Sequence, residues 1–270
     1  MTRYIRYSVA PSSRLAGQET HLTNASGSSY GVLEGETIRE LRGGLFDNPT
    51  PTGVTHPLSE VKPLAPIEPG KILAVGRNYK SHLGSRPQPE TPEMFYKPTS
   101  SLQNPGDPIV IPRDATEVHS EGEMVIVVGR KLSNASRDEA CDAVFGVTAG
   151  NDVSERNWQN GEKKDLQWWR AKGSDTFAPL GPVIVSGVDY GNLLLQTRIN
   201  GETVQKQYTS DLIFDIPTVL SWISNWVTLF PGDIIYSGTP GNTRRMSAGD
   251  LVEVELEHAG VLRNPVVSKL

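Results

Sequence analysis

The sequence predicts an α+β fold that is rich in strands. Short apolar runs with strand character recur along the chain, turn residues separate them, and only two segments show clear helical signals. The chain has 270 residues, of which 37% are hydrophobic, so it can form one large domain with a small one. We expect a small N-terminal region with a proline-rich linker over residues 1–66, and a larger domain over residues 67–270.

Nine runs are predicted to be strands. They are Tyr4–Val9, Ser29–Leu33, Ile72–Val75, Pro108–Ile111, Met124–Val128, Val183–Val185, Leu193–Ile199, Ile234–Tyr236 and Leu251–Leu256. Asn200 and Gly201 between two such runs predict a two-residue hairpin. Between residues 47 and 70 the chain contains six prolines, which predict an extended, semi-rigid linker.

The two helical segments carry different signals. Ser136 and Glu139 have the spacing of a capping box, which predicts a helix that starts there and ends near Gly146. The second helix is predicted from about Asp215 to Thr228. Apolar residues recur in it at helical spacing, so this stripe, including its tryptophans, is predicted to face the core.

The overall composition excludes several classes of function. The net charge is -5 and the isoelectric point is near 5.6, which is not typical of a nucleic-acid-binding protein. No apolar run approaches the roughly 18 residues of a membrane span, and the N-terminus lacks an apolar signal segment. The single cysteine, Cys141, cannot form an intrachain disulfide. We therefore expect a cytoplasmic protein, and a small anionic substrate remains compatible with these numbers because a cleft has its own local field.

Three acidic residues are the most informative candidates for a site. Glu121 and Glu123 alternate within one extended segment, which places their side chains on one face about 6.6 Å apart. A continuously apolar run follows, and Asp152 comes directly after another predicted strand. Buried acids need a partner, and a hard divalent cation such as Mg²⁺ or Mn²⁺ is one. The alternative is a solvated polar face, as predicted for the strand around Glu253 and Glu255.

Several residues near these acids could bind an anionic substrate or move a proton. Arg156 would share a face with Asp152 if the intervening residues formed a helical turn. Lys172 and Arg77 are equally consistent with surface residues. His82 is the best candidate for proton transfer, because histidine titrates near neutral pH. The polar, proline-containing segment 84–92 is a hypothetical lid over the site.

The order of these motifs resembles the fumarylacetoacetate hydrolase family over roughly residues 70–265. The matching segments are ILAVGRNYKSH, HSEGEMVIVVG, GVTAGNDVSERNWQ, RAKGSDTFAPLGP, TRINGETVQ, TSDLIFDIP, TLFPGDIIYSGTP and VEVELEHAGVLRNPV. The resemblance implies a mixed β-sandwich roll of the type found in the C-terminal domain of that family, with a small N-terminal domain. It also implies a homodimer and a bound Mg²⁺ or Mn²⁺.

The resemblance assigns a role to each candidate residue. It implies that Glu121, Glu123 and Asp152 are the metal ligands, and that His82 and Lys172 are catalytic. The candidate substrate-binding residues are Arg77, Tyr79, Arg156, Gln159 and Thr239. One position departs from the family pattern: many relatives have a glutamate three residues after the histidine, where this chain has Ser85. Glu90 or Glu93 could replace it if the loop folds over the site.

The expected activity follows from the same resemblance. We expect a Mg²⁺- or Mn²⁺-dependent hydrolase that cleaves a C–C bond in a small 2,4-dioxo acid, such as an acylpyruvate or a fumarylacetoacetate-like compound. A decarboxylase or isomerase of a related 2-oxo dicarboxylic acid is the main alternative, because the same kind of site supports either reaction. A non-catalytic protein that binds an oxo acid is the third hypothesis.

Overall fold

A computed structural model describes residues 1–9, 27–162 and 164–269. Residues 10–26, part of the predicted N-terminal region, lie outside the described residues. The structure is strand-rich with few helices, as predicted. The strands are β1 (Thr2–Val9), β2 (Ser29–Glu34), β3 (Thr37–Arg42), β4 (Thr50–Pro57), β5 (Val61–Leu64), β6 (Ile72–Gly76), β7 (Glu93–Lys97), β8 (Leu102–Gln103), β9 (Ile109–Ile111), β10 (Val118–Ser120), β11 (Gly122–Val128), β12 (Val144–Asn151), β13 (Ser154–Glu155), β14 (Ala178–Ser186), β15 (Leu194–Ile199), β16 (Glu202–Tyr208), β17 (Ile234–Tyr236), β18 (Arg244–Arg245), β19 (Leu251–Leu256) and β20 (Gly260–Ser268).

The α-helices of the described chain are short. They are α1 (Lys80–Leu83), α2 (Arg137–Asp142), α3 (Arg156–Asn160), α4 (Trp169–Gly173) and α5 (Ile216–Ser224). The predicted capping box at the start of α2 is confirmed. The predicted end near Gly146 is wrong, because the chain from Val144 onward pairs with β11 as a strand. None of the helices in the described residues is long and apolar enough to cross a membrane.

The strands form three sheets. The large sheet has the order β4-β3-β2-β1-β14-β12-β11-β17-β6-β7, with β5 beside β1 and β8 beside β14. A second sheet has the order β16-β15-β19-β20-β9, and a small third sheet has the order β13-β10-β18. The large sheet is mixed, because β17 and β6 run parallel while β11 and β12 run antiparallel.

Strand β11 lies at the centre of the protein, and all seven of its residues are buried. Alternate side chains pack into two different hydrophobic clusters, as the twofold repeat of a strand requires. Met124, Ile126 and Val128 join the cluster that includes α2, α5 and the second sheet. Val125 and Val127 join the cluster on the opposite face. The layers of a β-sandwich therefore meet around β11, which explains its continuously apolar sequence.

The N-terminal strands extend the large sheet instead of forming a separate layer. Strand β1 pairs with β14, and β2, β3 and β4 continue outward from it. The predicted linker is extended as expected, but it is not a free connection. Its residues form β4 and β5, which pair with β3 and β1. The sequence did not indicate this pairing. A proline-rich segment can be an unpaired linker, but it can also be an edge strand, where proline is tolerated.

The predicted hairpin at Asn200 and Gly201 is confirmed. Ile199 lies opposite Glu202 in the β15–β16 pair, so the loop has two residues. Both loop residues have positive φ, 52° for Asn200 and 81° for Gly201, which is the conformation of the tight hairpin turn.

Helix α5 is shorter than predicted, and its cap is Asp215. The Asp215 carboxylate accepts a hydrogen bond from the Thr218 amide at 3.1 Å and also binds Arg137. The helix ends at Ser224, so Trp226 lies beyond it and is 67% exposed. The prediction that this tryptophan belongs to the core is wrong, because the helix stops before its stripe is complete.

We expect Asp215→Ala to lower the free energy of unfolding by about 1 to 2 kcal/mol, because it removes both the cap and the Arg137 pair. Asp215→Asn is the matched control, since asparagine still caps the helix and should cost only about 0.5 kcal/mol. Urea unfolding followed by tryptophan fluorescence measures both. Equal losses in the two variants would show that the cap contributes nothing.

The wild type and Asp215→Asn also test a pH dependence of stability. The hydrogen bond from Arg137 lowers the pKa of Asp215 from 3.8 to about 2. The stabilisation by the charged form is therefore complete above pH 4 and is lost as the pH falls toward 2. The stability difference between the wild type and Asp215→Asn should shrink over that range.

Candidate metal centre

The three predicted acids meet at one point in the structure. Glu121, Glu123 and Asp152 are all buried, and each offers a carboxylate oxygen within 4.8 Å of the others. The register of β11 and β12 brings them together, since Glu123 lies opposite Gly150 and Gly122 lies opposite Asn151. The Asp152 amide also donates to the Glu121 carbonyl at 2.8 Å. The ends of the two central strands therefore hold all three carboxylates.

The segment that carries the two glutamates belongs to two strands. Glu121 and Glu123 were predicted to lie in one extended segment, but Glu121 lies between β10 and β11. Strand β10 pairs with β13 and β18, whereas β11 continues in the large sheet. The prediction of one continuous segment is therefore wrong, because the chain passes from the small sheet to the large sheet at Glu121.

Gly122, between the two glutamates, is fixed by side chains from other strands. Thr239 Oγ1 donates to the Gly122 carbonyl at 2.9 Å, and Gln205 Oε1 accepts from the Gly122 amide at 3.1 Å. Gln205 Nε2 in turn donates to Thr239 Oγ1 at 2.8 Å. The Thr239 hydroxyl is thus engaged with the backbone, and its contact with substrate stays a prediction. Gln205 was not predicted, because a glutamine in an alternating strand carries no distinctive signal.

Three positively charged side chains surround the acids. Lys172 Nζ donates to Glu121 Oε2 at 2.6 Å and also binds Asp152. Arg156 Nη2 binds Glu121 Oε1. Lys97 Nζ donates to Asp152 Oδ1 at 2.5 Å and also binds the Lys172 carbonyl. The structure therefore brings Lys172 and Arg156 to the acids, where their roles stay predictions, and it adds a lysine that was not predicted.

Lys97 was not predicted, because its importance becomes visible only in the folded chain. It ends β7 directly before Pro98, at the end of an apolar run, and its side chain is completely buried. A lysine in such a place requires an anionic partner, and the partner is Asp152. Burial lowers the pKa of Lys97, whereas Asp152 acts in the opposite direction. For Lys172 burial also acts to lower the pKa, but Asp152 and Glu121 outweigh it and raise the pKa.

The charge distribution fits a divalent cation. Burial would raise the pKa of Glu121, but Arg156 and Lys172 outweigh it and hold the pKa well below its usual range. Burial, Asp152 and Glu121 all raise the pKa of Glu123 far above its usual range. Glu123 accepts a hydrogen bond from the Gly238 amide at 2.7 Å but has no ion pair with a described residue. Three converging carboxylates are the donor set of a hard cation, which would relieve this repulsion.

The candidate base, His82, is oriented by the backbone. It lies in α1, and its Nδ1 is 2.6 Å from the carbonyl oxygen of Gly241. A proton on Nδ1 would be donated to this carbonyl, which leaves Nε2 as the basic nitrogen. Burial lowers the pKa of His82, and the charge of Glu121 partly opposes this effect. The Gly241 amide donates to Ser81 Oγ at 2.9 Å, so α1 holds both sides of Gly241.

Glu93, one of the two glutamates that could have replaced the family carboxylate, is bound to an arginine. Glu93 accepts two hydrogen bonds from Arg77, one of them from Nε at 2.7 Å. Arg77, a predicted substrate-binding residue, is therefore paired with Glu93, and its role stays a prediction. The lid hypothesis for residues 84–92 also stays a prediction.

The remaining predicted substrate-binding residues, Gln159 and Tyr79, have different surroundings. Gln159 Oε1 accepts from Arg156 Nη1 at 2.7 Å, so the two predicted substrate-binding residues form one unit. The expected helical turn between Asp152 and Arg156 is wrong, because Ser154–Glu155 is a strand and α3 begins at Arg156. Tyr79 is completely buried, and its hydroxyl has no hydrogen-bond partner among the described residues. Burial and the charge of Glu123 raise its pKa.

Comparison with known proteins identifies the family. Residues 71–267 match the model "Fumarylacetoacetate (FAA) hydrolase C-terminal", and residues 22–66 match "Rv2993c-like, N-terminal". The chain therefore belongs to the fumarylacetoacetate hydrolase family, as the sequence motifs predicted.

Three relatives illustrate the range of the family. The chain is 41% identical to Protein Rv2993c of Mycobacterium tuberculosis, over 92% of this chain and 97% of that protein. It is 40% identical to oxaloacetate tautomerase fahd2, mitochondrial, of Xenopus laevis, over 77% of this chain and 69% of that protein. The crystal structure of 2-hydroxyhepta-2,4-diene-1,7-dioate isomerase from Mycobacterium marinum superposes with a TM-score of 0.87, at 38% identity over 100% of this chain and 99% of the other.

We expect Gly122→Ala to disrupt the metal centre. A Cβ at Gly122 would lie 1.9 Å from Thr197 Oγ1, so the backbone between the two glutamates must shift. Such overpacking costs about 1 to 3 kcal/mol, and we expect Mn²⁺ affinity to fall about tenfold or more. Isothermal titration of the metal-free protein with Mn²⁺ measures this. Gly76→Ala is the control, because the nearest atom to its Cβ is 3.7 Å away; unchanged affinity in Gly122→Ala would contradict the prediction.

We expect Lys97→Met to destabilise the metal-free protein by about 3 kcal/mol, because Asp152 loses a buried partner. Saturating Mn²⁺ should restore more stability to the variant than to the wild type, since the cation replaces the missing positive charge. Urea unfolding with and without Mn²⁺ measures both effects. Lys62→Met, at an ion pair whose lysine is 55% exposed, is the control and should change little. Equal stabilisation of Lys97→Met and the wild type by Mn²⁺ would refute this explanation.

Proposed function

We propose that the protein is a divalent-metal-dependent isomerase that moves a proton between carbon and oxygen in a small 2-oxo dicarboxylic acid. Oxaloacetate, interconverted between its keto and enol forms, is the substrate that we put forward first. The observation that carries the proposal is the position of His82. Its Nδ1 is fixed by the Gly241 carbonyl at 2.6 Å, and burial lowers its pKa, so a neutral ring with a basic Nε2 is favoured.

The charge of the site supports a dianionic substrate. The three acids Glu121, Glu123 and Asp152 carry three negative charges when ionised, and the described cations Lys97, Lys172 and Arg156 carry three positive charges. With all three acids ionised, as metal binding requires, the charges of these side chains cancel. A divalent cation gives the site an excess of two positive charges, which a 2-oxo dicarboxylate would balance.

The residues that would hold the cation are Glu121, Glu123 and Asp152. When bound there, Mg²⁺ or Mn²⁺ supplies Lewis-acid stabilisation of negative charge on the substrate oxygens. The Lys172 ammonium, already beside Glu121 and Asp152, would stabilise the negative oxygen of the enolate. Arg156 would bind a substrate carboxylate, as arginine does with planar anions.

The proton would move through His82. The neutral Nε2 takes a proton from the carbon next to the carbonyl, and the resulting imidazolium returns a proton to the oxygen of the enolate. Reversal of the same steps converts the enol to the keto form. This cycle needs no water and no second base. It therefore suits a histidine whose partner is a carbonyl oxygen rather than a carboxylate.

Hydrolysis makes a stronger demand on His82. Deprotonating water is easier when a carboxylate raises the basicity of the histidine and stabilises its cation. Ser85 provides no such charge, Glu90 is exposed, and Glu93 is bound to Arg77. The Xenopus laevis relative is named an oxaloacetate tautomerase and the Mycobacterium marinum structure an isomerase, which supports proton transfer over hydrolysis. A cytoplasmic homodimer remains our proposal for the assembled protein.

The test follows the ultraviolet absorbance of enol oxaloacetate as it converts to the keto form. We expect Mn²⁺-loaded protein to accelerate the conversion and EDTA to abolish the acceleration. His82→Gln should lower kcat by about 10² to 10⁴ without changing Mn²⁺ affinity, and Glu123→Gln should weaken Mn²⁺ binding. Because the pKa of His82 lies below 6.5, the rate should stay constant through neutral pH and fall only in more acidic solution.

Glu257→Gln is the control for the glutamate variant, because it changes a half-exposed carboxylate at the end of β19. Nuclear magnetic resonance in D₂O should show deuterium entering C3 of oxaloacetate before any loss of CO₂. Faster release of pyruvate from an acylpyruvate than tautomerisation of oxaloacetate would overturn the proposal in favour of hydrolysis. Faster formation of CO₂ and pyruvate from oxaloacetate would favour decarboxylation.

A further inference from the structure

Arg156 is held by a chain of side chains that lies outside the predicted site. Arg156 Nη2 donates to Thr243 Oγ1 at 2.8 Å. Thr243 Oγ1 is 2.9 Å from His119 Nδ1, and His119 Nε2 is 2.8 Å from Glu117 Oε1. The four residues come from three separate segments, so the fold, and not local sequence alone, assembles this series of contacts.

The donor and acceptor properties of the four groups determine which atom donates in each of these hydrogen bonds. Arginine only donates, so Thr243 Oγ1 must accept from Arg156 and can donate its own proton to His119 Nδ1. In a neutral imidazole, an accepting Nδ1 leaves a proton on Nε2, which is then donated to Glu117. Every polar atom in the series thus has a complementary partner, from the guanidinium to the carboxylate.

Backbone hydrogen bonds place Arg156 and the strand that follows its partner Thr243 beside β10. The Arg156 amide donates to the Glu117 carbonyl at 2.9 Å. Strand β18, which follows Thr243 directly, pairs with β10, and the Met246 amide donates to the Val118 carbonyl at 2.8 Å. The backbone and the guanidinium of Arg156 are therefore positioned by one small sheet.

This arrangement leaves part of the guanidinium available to a ligand. Of its five N–H donors, described residues use three: two on Nη2, for Glu121 and Thr243, and one on Nη1, for Gln159. The Arg156 side chain is 18% exposed, so a ligand in the site can reach it. A side chain held at three points loses little further conformational entropy when an anion binds.

We propose that Thr243 and His119 are positioning residues that hold Arg156 ready for a substrate carboxylate. They set the affinity of the site for dianionic 2-oxo acids, and they take no part in the proton transfer. This inference rests on the proposed function, in which Arg156 binds a carboxylate of the substrate.

Matched variants separate this role from general structural support. Thr243→Val removes the hydroxyl at nearly constant volume, and Thr243→Ser keeps it. His119→Leu removes the acceptor for Thr243, whereas the amide oxygen of His119→Asn replaces Nδ1. Two independent pairs keep the test informative even if one variant folds poorly.

Three measurements are made on each variant: the Kd of Mn²⁺ for the metal-free protein, the Kd of oxalate for the Mn²⁺-loaded protein, and KM and kcat for oxaloacetate. We expect Thr243→Val and His119→Leu to weaken oxalate binding about tenfold and to raise KM by a similar factor. The kcat should stay within about twofold, and the Kd of Mn²⁺ should not change. Thr243→Ser and His119→Asn should resemble the wild type in every measurement.

Three outcomes would overturn the inference. One is unchanged oxalate affinity in Thr243→Val. The second is a loss of Mn²⁺ affinity that parallels the loss of oxalate, which would show that the residues act on Glu121. The third is His119→Asn behaving like His119→Leu. If the wild type does not convert oxaloacetate, the proposed function fails, while the oxalate affinities still decide whether Thr243 and His119 position Arg156.

Discussion

The antiparallel pairing of β11 with β12 is the constraint on which the site depends. It places Glu123 opposite Gly150 and leaves Glu121 and Asp152 just beyond the paired residues, where their backbones are joined by a hydrogen bond of 2.8 Å. A shift of one residue would turn the side chains of β11 to the opposite face of the sheet. Because β11 is buried on both faces, such a shift would place the glutamates in a hydrophobic cluster. The packing of the core therefore specifies the geometry of the carboxylates.

The buried charges explain why so many ion pairs surround these strands. Ionised carboxylates in an apolar environment are strongly destabilising unless cations accompany them. Lys97 and Lys172 supply these cations for Asp152, and Arg156 with Lys172 supplies them for Glu121. Glu123 alone among the three has no ion pair with a described residue. Burial and the charges of Asp152 and Glu121 raise the pKa of this carboxylate, and a metal ion would oppose that effect.

Much of this arrangement could be predicted from the sequence, and the reasons for the failures are physical. The alternating glutamates before an apolar strand, Asp152 after a strand, and the ordered family motifs indicated the carboxylate cluster. Lys97 was missed because its significance depends on burial and on Asp152, which is 55 residues away. The contact between His82 and Gly241 and the Thr243–His119 pair join residues more than 120 positions apart, and no local pattern encodes such contacts. Of the N-terminal strands, β1 and β2 were predicted, but their place in the large sheet depends on the pairing of β1 with β14.

The irregular segment 238–241 links two halves of the site. The amide of Gly238 binds Glu123, the Thr239 hydroxyl binds the Gly122 carbonyl, and the carbonyl of Gly241 orients His82. One short peptide segment thus touches a candidate ligand, the backbone beside it, and the candidate base. Any displacement of Glu123 on cation uptake would be transmitted along this segment to the imidazole. The positions of a candidate ligand and of the candidate base are therefore connected through four residues.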